Sequence, residues 1–320
     1  MPRSLLVGVL LTIVSAFGFG SGALFAKPVY AAGVDWLTLM TWRFTFGAGL
    51  SLGLVLVNPA RRAALRRMDR RAVIVAVALG LIYTGNSSTY FAGLETVPAS
   101  LAALIIYIYP AIVAVLTLRF GRRLEGRRAW GALALALAGV ALAVGNVDAA
   151  TAPPIGGLAL MVASPIIYSV WIVLSARLAG ERRSGVGHGA DSGTDPTAAG
   201  AVMMAATAIA FWLAALATGR PVLPAQVPLA AWGGIAGVGV VSTFIAIQGF
   251  YAGAHRIGAA RASLVSTVEP IWTIALAGLL FGESLSPIQL VGGAMILGGV
   301  VLAQTGPAGA TVPELRIADE

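Results

Sequence analysis

Glu269 is the acidic residue that stands near the middle of a long apolar stretch of this 320-residue chain. It lies about ten residues into that stretch, ~15 Å deep if the stretch is a helix crossing a bilayer. A carboxylate at that depth is costly and faces a cavity or a partner. Pro270 follows it, removes one helical hydrogen bond and crowds the carbonyl of Ser266. Ser266, Thr267 and Glu269 therefore gather into one polar locus at a bend. Two readings are open: a substrate or proton site, or a structural carboxylate satisfied by a neighbouring helix.

Arg43 follows Asp35 in a second apolar stretch, ~12 Å from the opposite surface. The two depths put Arg43 and Glu269 at nearly one height in ~30 Å of hydrocarbon. Arg43 could pair with Glu269 or bind a substrate carboxylate; alternatively it snorkels outward or fixes a helix contact. Tyr83, Asn86, Ser87 and Tyr90 share one helical face. Another stretch offers Thr243, Gln248 and Tyr251, and Trp42, Tyr107, Tyr168, Trp171 and Trp272 supply aromatic surface near the same height. A few polar groups among aromatics suit a small-molecule pocket, although helix packing or an interfacial belt explains each residue taken singly.

Other chemistries are excluded by what is missing. There is no Cys and there are two His, so no thiol nucleophile and no Cys- or His-rich metal site. No phosphate-binding GxxxxGK[ST] loop, HExxH or Gly-x-Ser-x-Gly occurs. The expectation is no enzyme, no cofactor and no metal.

The elements that must position these residues follow from composition. The chain is 58% hydrophobic and 11% charged, with a mean hydropathy of +0.89, against about 25% charged for a soluble domain. Ten apolar runs reach a membrane-crossing length of about 20 residues: roughly 5–26, 36–57, 72–93, 98–118, 129–147, 155–177, 198–218, 228–252, 259–282 and 286–303. Ala72–Ile82 and Ala129–Val144 are apolar throughout, which fits helices and not the alternation of barrel strands. The first run is about 22 residues, longer than the 7–15 of a signal peptide, and is read as a span.

Basic residues set an orientation. Six arginines lie in the second link (Arg61 to Arg71) and five in the fourth (Arg119 to Arg128); Arg177, Arg182 and Arg183 lie in the sixth, and Arg256 and Arg261 in the eighth. The opposite side carries Lys27 and Arg220. The positive-inside rule puts both termini in the cytoplasm, in a plasma (inner) membrane. The net charge of +8 is thus membrane-flanking charge, with no nucleic-acid partner.

The chain also resembles itself. A shift of 160 positions lays Tyr109–Pro110 on Glu269–Pro270, Phe91-Ala92-Gly93 on Tyr251-Ala252-Gly253, and Gly139-Val140-Ala141-Leu142 on Gly299-Val300-Val301-Leu302. With one residue of slip, Phe120-Gly121 falls on Phe281-Gly282. Each half has five spans, an odd number, so the halves are inverted, a device of secondary transporters. The expected architecture is all-α and integral to the membrane. Residues 1–147 form the first repeat and 148–304 the second, with a flexible linker at 180–200 and a disordered tail at 305–320. Pro110 and Pro270 are the expected hinges.

Tyr251-Ala252-Gly253-Ala254, Ala260-Arg261-Ala262-Ser263-Leu264, Val268-Glu269-Pro270, Phe281-Gly282-Glu283 and Gln289, with Trp42-Arg43-Phe44 and Thr96–Ala103, resemble an EamA-type protein of the drug/metabolite transporter superfamily. The resemblance spans about residues 5–303. It implies a bundle in which spans 1–4 and 6–9 surround a central cavity, spans 5 and 10 lie peripherally, and small metabolites, amino acids among them, are exported or exchanged. The halves are not chemically alike: Tyr109 stands for Glu269, and Arg122 for Glu283. The expected function is alternating-access secondary transport, most plainly export, of small polar or amphipathic metabolites. The alternatives are a lipophilic-cation exporter and a passive facilitator or channel. The expected partners are a small-molecule substrate, the lipid bilayer and a coupling proton.

Overall fold

The computed structural model describes residues 3–118, 126–145, 152–178, 196–257, 262 and 265–304. Apart from short turns and links, these residues are helical. The first half contains α1 (Arg3–Gly20), α2 (Gly22–Ala31), α3 (Trp36–Val57), α4 (Pro59–Arg66), α5 (Arg70–Leu94), α6 (Ala99–Ile106), α7 (Tyr109–Leu118) and α8 (Gly126–Gly145). The second contains α9 (Ile155–Leu178), α10 (Pro196–Ala217), α11 (Trp232–Ala236), a π-helical segment (Gly237–Ile245), α12 (Ala246–Ile257), α13 (Val268–Phe281) and α14 (Pro287–Gln304).

Six stretches are long and apolar enough to cross a membrane: Leu5–Ala31, Trp36–Val57, Arg70–Leu94, Ile155–Ser175, Thr197–Ala217 and Leu229–Ala254. Shorter apolar helices, Ala99–Val113, Trp130–Ala143, Val268–Phe281 and Pro287–Leu302, occupy the remaining places marked by the sequence. Large apolar side chains such as Leu10, Leu213, Leu279 and Leu290 are more than half exposed; that coating suits lipid and not water.

Local sequence sets the helix ends. Asp35 accepts from the N–H groups of Leu37 and Thr38 and starts α3. Asn58 does the same for α4 and Asp69 for α5. The first stretch runs to Ala31 instead of ending near 26, with Pro28 inside it and a turn at Ser21. Pro196 opens α10, so residues 196–200, expected in the linker, are helical. Pro is well suited to a first helical turn. The rest of the expected linker and the tail lie outside the described residues.

The packing maps onto itself when the halves exchange. α1 lies along α12 as α5 lies along α9; α3 meets the π-helical segment as α10 meets α5; α1 touches α13 as α7 touches α9. Three pairs are their own counterparts: α3 with α10, α6 with α13, and α8 with α14. The last of these is the most extensive contact. Gly139 and Gly292 lie so close there that a Cβ on either would come within 2.5 Å of the other's carbonyl oxygen. Small residues let helix backbones approach in lipid, where no hydrophobic force drives association.

Candidate functional site

Both expected hinges sit at broken helices. The chain leaves helical geometry at Tyr107–Ile108, just before Tyr109–Pro110, and at Ser266–Thr267, just before Glu269–Pro270. The breaks face each other because α6 packs on α13. The Tyr107 hydroxyl bridges them: it lies 2.6 Å from the Ser266 carbonyl oxygen, to which it donates, and 3.0 Å from Glu269 Oε2. The Ser266 carbonyl also accepts from the Glu269 N–H, 3.0 Å. A proline four residues on frees a carbonyl for such contacts, and a tyrosine of the other half uses it.

Glu269 opens on a small cavity of about 20 Å³, lined also by Phe19, Gly20, Tyr90, Ala103, Ile106, Tyr107, Pro270 and Thr273. That volume holds about one water molecule, so this conformation is closed around the locus. Beyond the lining, Tyr109, Tyr168, Trp171 and Tyr83 run on from Tyr107 as one aromatic chain. Ring centroids are 5.9 Å apart for Tyr107–Tyr109, 4.9 Å for Tyr109–Tyr168, 5.7 Å for Tyr168–Trp171 and 5.2 Å for Tyr83–Trp171. These are favourable edge, tilted and stacked geometries.

Arg43 is placed differently from one of its expected roles. It is buried at 6% exposure, but Glu269 is not its ion-pair partner; the one ion pair among the described residues is Arg220–Asp35, 3.9 Å. Instead Arg43 Nε donates to Thr243 Oγ1, 2.9 Å, and its guanidinium sits 5.0 Å from the ring centre of Phe44 and 4.7 Å from that of Phe91. Such cation–π contacts offset part of the cost of burying the charge. Thr243 is aimed by the π-helical segment, where its hydroxyl also donates to the Val238 carbonyl five residues back, 2.9 Å. Tyr90 lines the cavity beside Glu269 and lies near enough to Arg43 for its charge to act there.

The other expected residues divide. Tyr83 and Tyr90 join the aromatic and polar locus. Asn86 accepts from Ser164 Oγ at 2.8 Å, and Ser87 is buried, so this part of the α5 face serves contact with α9. Trp171 Nε1 donates to the Leu79 carbonyl, 3.1 Å. Trp272 stacks on Phe17 and donates to Ser21 Oγ, tying α13 to the turn between α1 and α2 and not lining the cavity. Gln248 is half-buried on α12, which lies along α1, away from the cavity lining. Tyr251 lies on α12 with its side chain outside the described residues.

Phe19, Ala103 and Thr273 also line the cavity and escape a reading of the sequence; Phe19 and Ala103 carry no signal, because an apolar lining position looks like any other core position. Thr273 ties α13 to the end of α1 through one hydroxyl, which lies 2.8 Å from the Gly20 carbonyl oxygen and 3.1 Å from that of Glu269, one turn back on its own helix. Its polarity amid apolar neighbours was the signal available.

The sequence pattern of the EamA-like transporter family matches twice, over residues 6–145 and 155–305. The chain belongs to this family. Among relatives, the uncharacterized transporter YcbK of Bacillus subtilis is 32% identical over 218 residues, covering 68% of this chain and 65% of that one. An uncharacterized transporter of Archaeoglobus fulgidus is 27% identical over 94% of this chain and 97% of its own. The uncharacterized inner membrane transporter YedA of Escherichia coli K12 is 26% identical over 87% and 82%. A solved crystal structure shares the fold, with a TM-score of 0.64 at 23% identity, covering 92% of this chain and 96% of that one. This EamA-like protein is a multi-pass membrane transporter and not an enzyme. Its surroundings are a lipid bilayer and its cargo is a small molecule.

Proposed function

We propose that this EamA-like protein is a secondary active transporter that exports small polar or amphipathic metabolites by alternating access, with amino acids as the leading class. One observation carries the reading. Glu269, a carboxylate with no ion-pair partner among the described residues, opens on a cavity between two broken helices drawn from different halves. Breaks at Tyr107–Ile108 and Ser266–Thr267 leave each half a bend about which to rock. An amine of the cargo, or a proton, has Glu269 to meet.

In this reading ten spans form two inverted repeats, with both termini in the cytoplasm of a plasma (inner) membrane. The distribution of arginines supports the orientation, and YedA is a relative whose name places it in an inner membrane. Reporter fusions after residues 68, 125 and 185 should all report cytoplasm; an outer-face signal from any of them removes the inverted repeat.

The aromatic chain from Tyr107 to Tyr83 favours a second reading, transport of a lipophilic cation on those ring faces. Purified protein in liposomes, loaded with pooled metabolites and organic cations, should show saturable counterflow. The class that saturates chooses between the readings. Single-channel currents without counterflow would replace both with a pore.

A further inference from the structure

Glu283 lies outside the cavity lining and stands where the first half has Arg122. Its placement starts with Gly282, which ends α13 in the left-handed region at φ 67°. A side chain is strained there, and glycine lets the chain turn sharply after the helix. The Glu283 N–H then donates to the Ala277 carbonyl, 3.3 Å, and the side chain reaches across to the start of α6. Its carboxylate accepts three hydrogen bonds: from the Ala99 N–H at 3.0 Å, the Ser100 N–H at 2.8 Å and the Ser100 hydroxyl at 2.7 Å.

Those donors need an outside partner. The residue before α6 is Pro98, whose side chain makes no capping bond. The first N–H groups of any helix lack partners within it and form its positive end. Here the missing cap comes from the other half of the protein, and it is an anion. Lys27 of α2 completes the clamp: its ammonium donates to the Leu94 carbonyl at 2.9 Å, the end of α5, and to the Val97 carbonyl at 2.7 Å. It also lies near enough to Glu283 for the two charges to attract. The link between α5 and α6 is therefore held by a cation at its start and an anion at its end, each matched to the helix terminus it meets.

This matters to the transport site because α6 is a wall of the cavity, through Ala103 and Ile106, and leads into Tyr107. The matching position of the first half carries the opposite charge. Arg122 offers donors only, and the positive end of a helix repels it. At the opposite end, the polar side chains of Asn58, Asp69 and Arg256 bond within their own helix ends.

We infer that Glu283 is the latch that holds the cavity of this transporter shut toward the outside, and that replacement of its counterpart by Arg122 makes the outside-closed conformation the resting one. The inference rests on the alternating-access reading and is tested through accessibility, not flux. The chain has no native cysteine, so an Ala103→Cys variant carries a single thiol on the cavity wall. The readout is the ratio of its labelling by an impermeant maleimide from the outside to that from the inside, in oriented membranes.

With Glu283 intact, inside labelling dominates. Glu283→Ala shifts the ratio toward the outside by about tenfold, as a lost helix cap of roughly 1.4 kcal/mol does to an equilibrium. Ser100→Ala, which removes one bond of three, shifts it less in the same direction and serves if Glu283→Ala does not fold. A cap that only stabilises α6 lowers the melting temperature of both variants with the ratio unmoved, and that result overturns the latch while leaving alternating access standing. Outside labelling that dominates already with Glu283 intact overturns the latch too. Labelling from neither side in any variant overturns the alternating-access reading, and the latch with it.

Discussion

Two of the three helix pairs that are their own counterparts when the halves exchange are built in opposite ways. α8 and α14 meet through glycines; Gly139 and Gly292 bring backbone onto backbone, and a Cβ on Gly299 would come within 2.7 Å of the Ala132 carbonyl oxygen. Both helices are continuous over their described lengths. The polar tie between them is Gln289, which donates to the Ala143 carbonyl at 3.1 Å. α6–α7 and α13 meet instead across two breaks, through a hydroxyl, a carboxyl and freed carbonyls. The first pair has one dense arrangement and nowhere to go. The second keeps polar groups that can exchange partners, which a rearranging element requires. Symmetry thus fixes which helices meet, while side-chain chemistry decides which contact is permanent.

The largest effect tests the moving pair. Glu269→Gln should fold and insert, yet gradient-driven accumulation in proteoliposomes should fall to passive equilibration, with substrate-for-substrate exchange surviving. Tyr109→Phe, at the matching place of the first half, should keep accumulation. If Glu269→Gln instead melts early but accumulates normally, the carboxyl is structural and the contrast between the pairs collapses.

The fixed pair should respond the other way. Gly139→Leu forces side-chain atoms into the Gly292 carbonyl and should cost ~1–3 kcal/mol, as overpacking does. Thermal unfolding would show the loss, with the transport rate of the surviving folded protein unchanged. A selective loss of rate at equal stability would mean that this pair moves too.

Pro270→Ala sharpens the comparison next. Allowing α13 to continue backward through Ser266 should stiffen the bend and slow turnover by about tenfold, a barrier change of ~1.4 kcal/mol, with substrate affinity little altered. Pre-steady-state exchange separates the two quantities. Tyr107→Phe should be the mildest. The Ser266 carbonyl keeps the Glu269 N–H, so the loss is one bridging hydroxyl, about 1 kcal/mol, read by thermal unfolding.

Much of this was legible before folding was considered. Apolar runs located the helices, and the Tyr109–Pro110 and Glu269–Pro270 match located both breaks. Partner choice was less legible. Arg43 and Glu269, expected at similar heights and able to pair, do not pair; Arg43 is turned to Thr243 by the π-helical segment, a local geometry that no residue pattern announced. Close glycine contacts were not legible either. Gly249 and Gly253 approach α1, Gly49 and Gly53, at the same spacing, meet no neighbour within 4 Å, and the Gly139–Gly292 contact joins glycines far apart in the chain.

By itself the sequence determined where the helices run and which polar residues lie within them: Arg43, Glu269 and the two prolines each stand inside a long apolar run. It also determined kind, because apolar surface on that scale has no stable place but lipid. Only the tertiary structure decided direction around each helix and the partner found there. Tyr107 reaching Glu269, Arg43 lying against Phe44 and Phe91, and Glu283 capping α6 join residues far apart in the chain. Their distances are set by how helices pack side by side, which spacing along one helix does not encode.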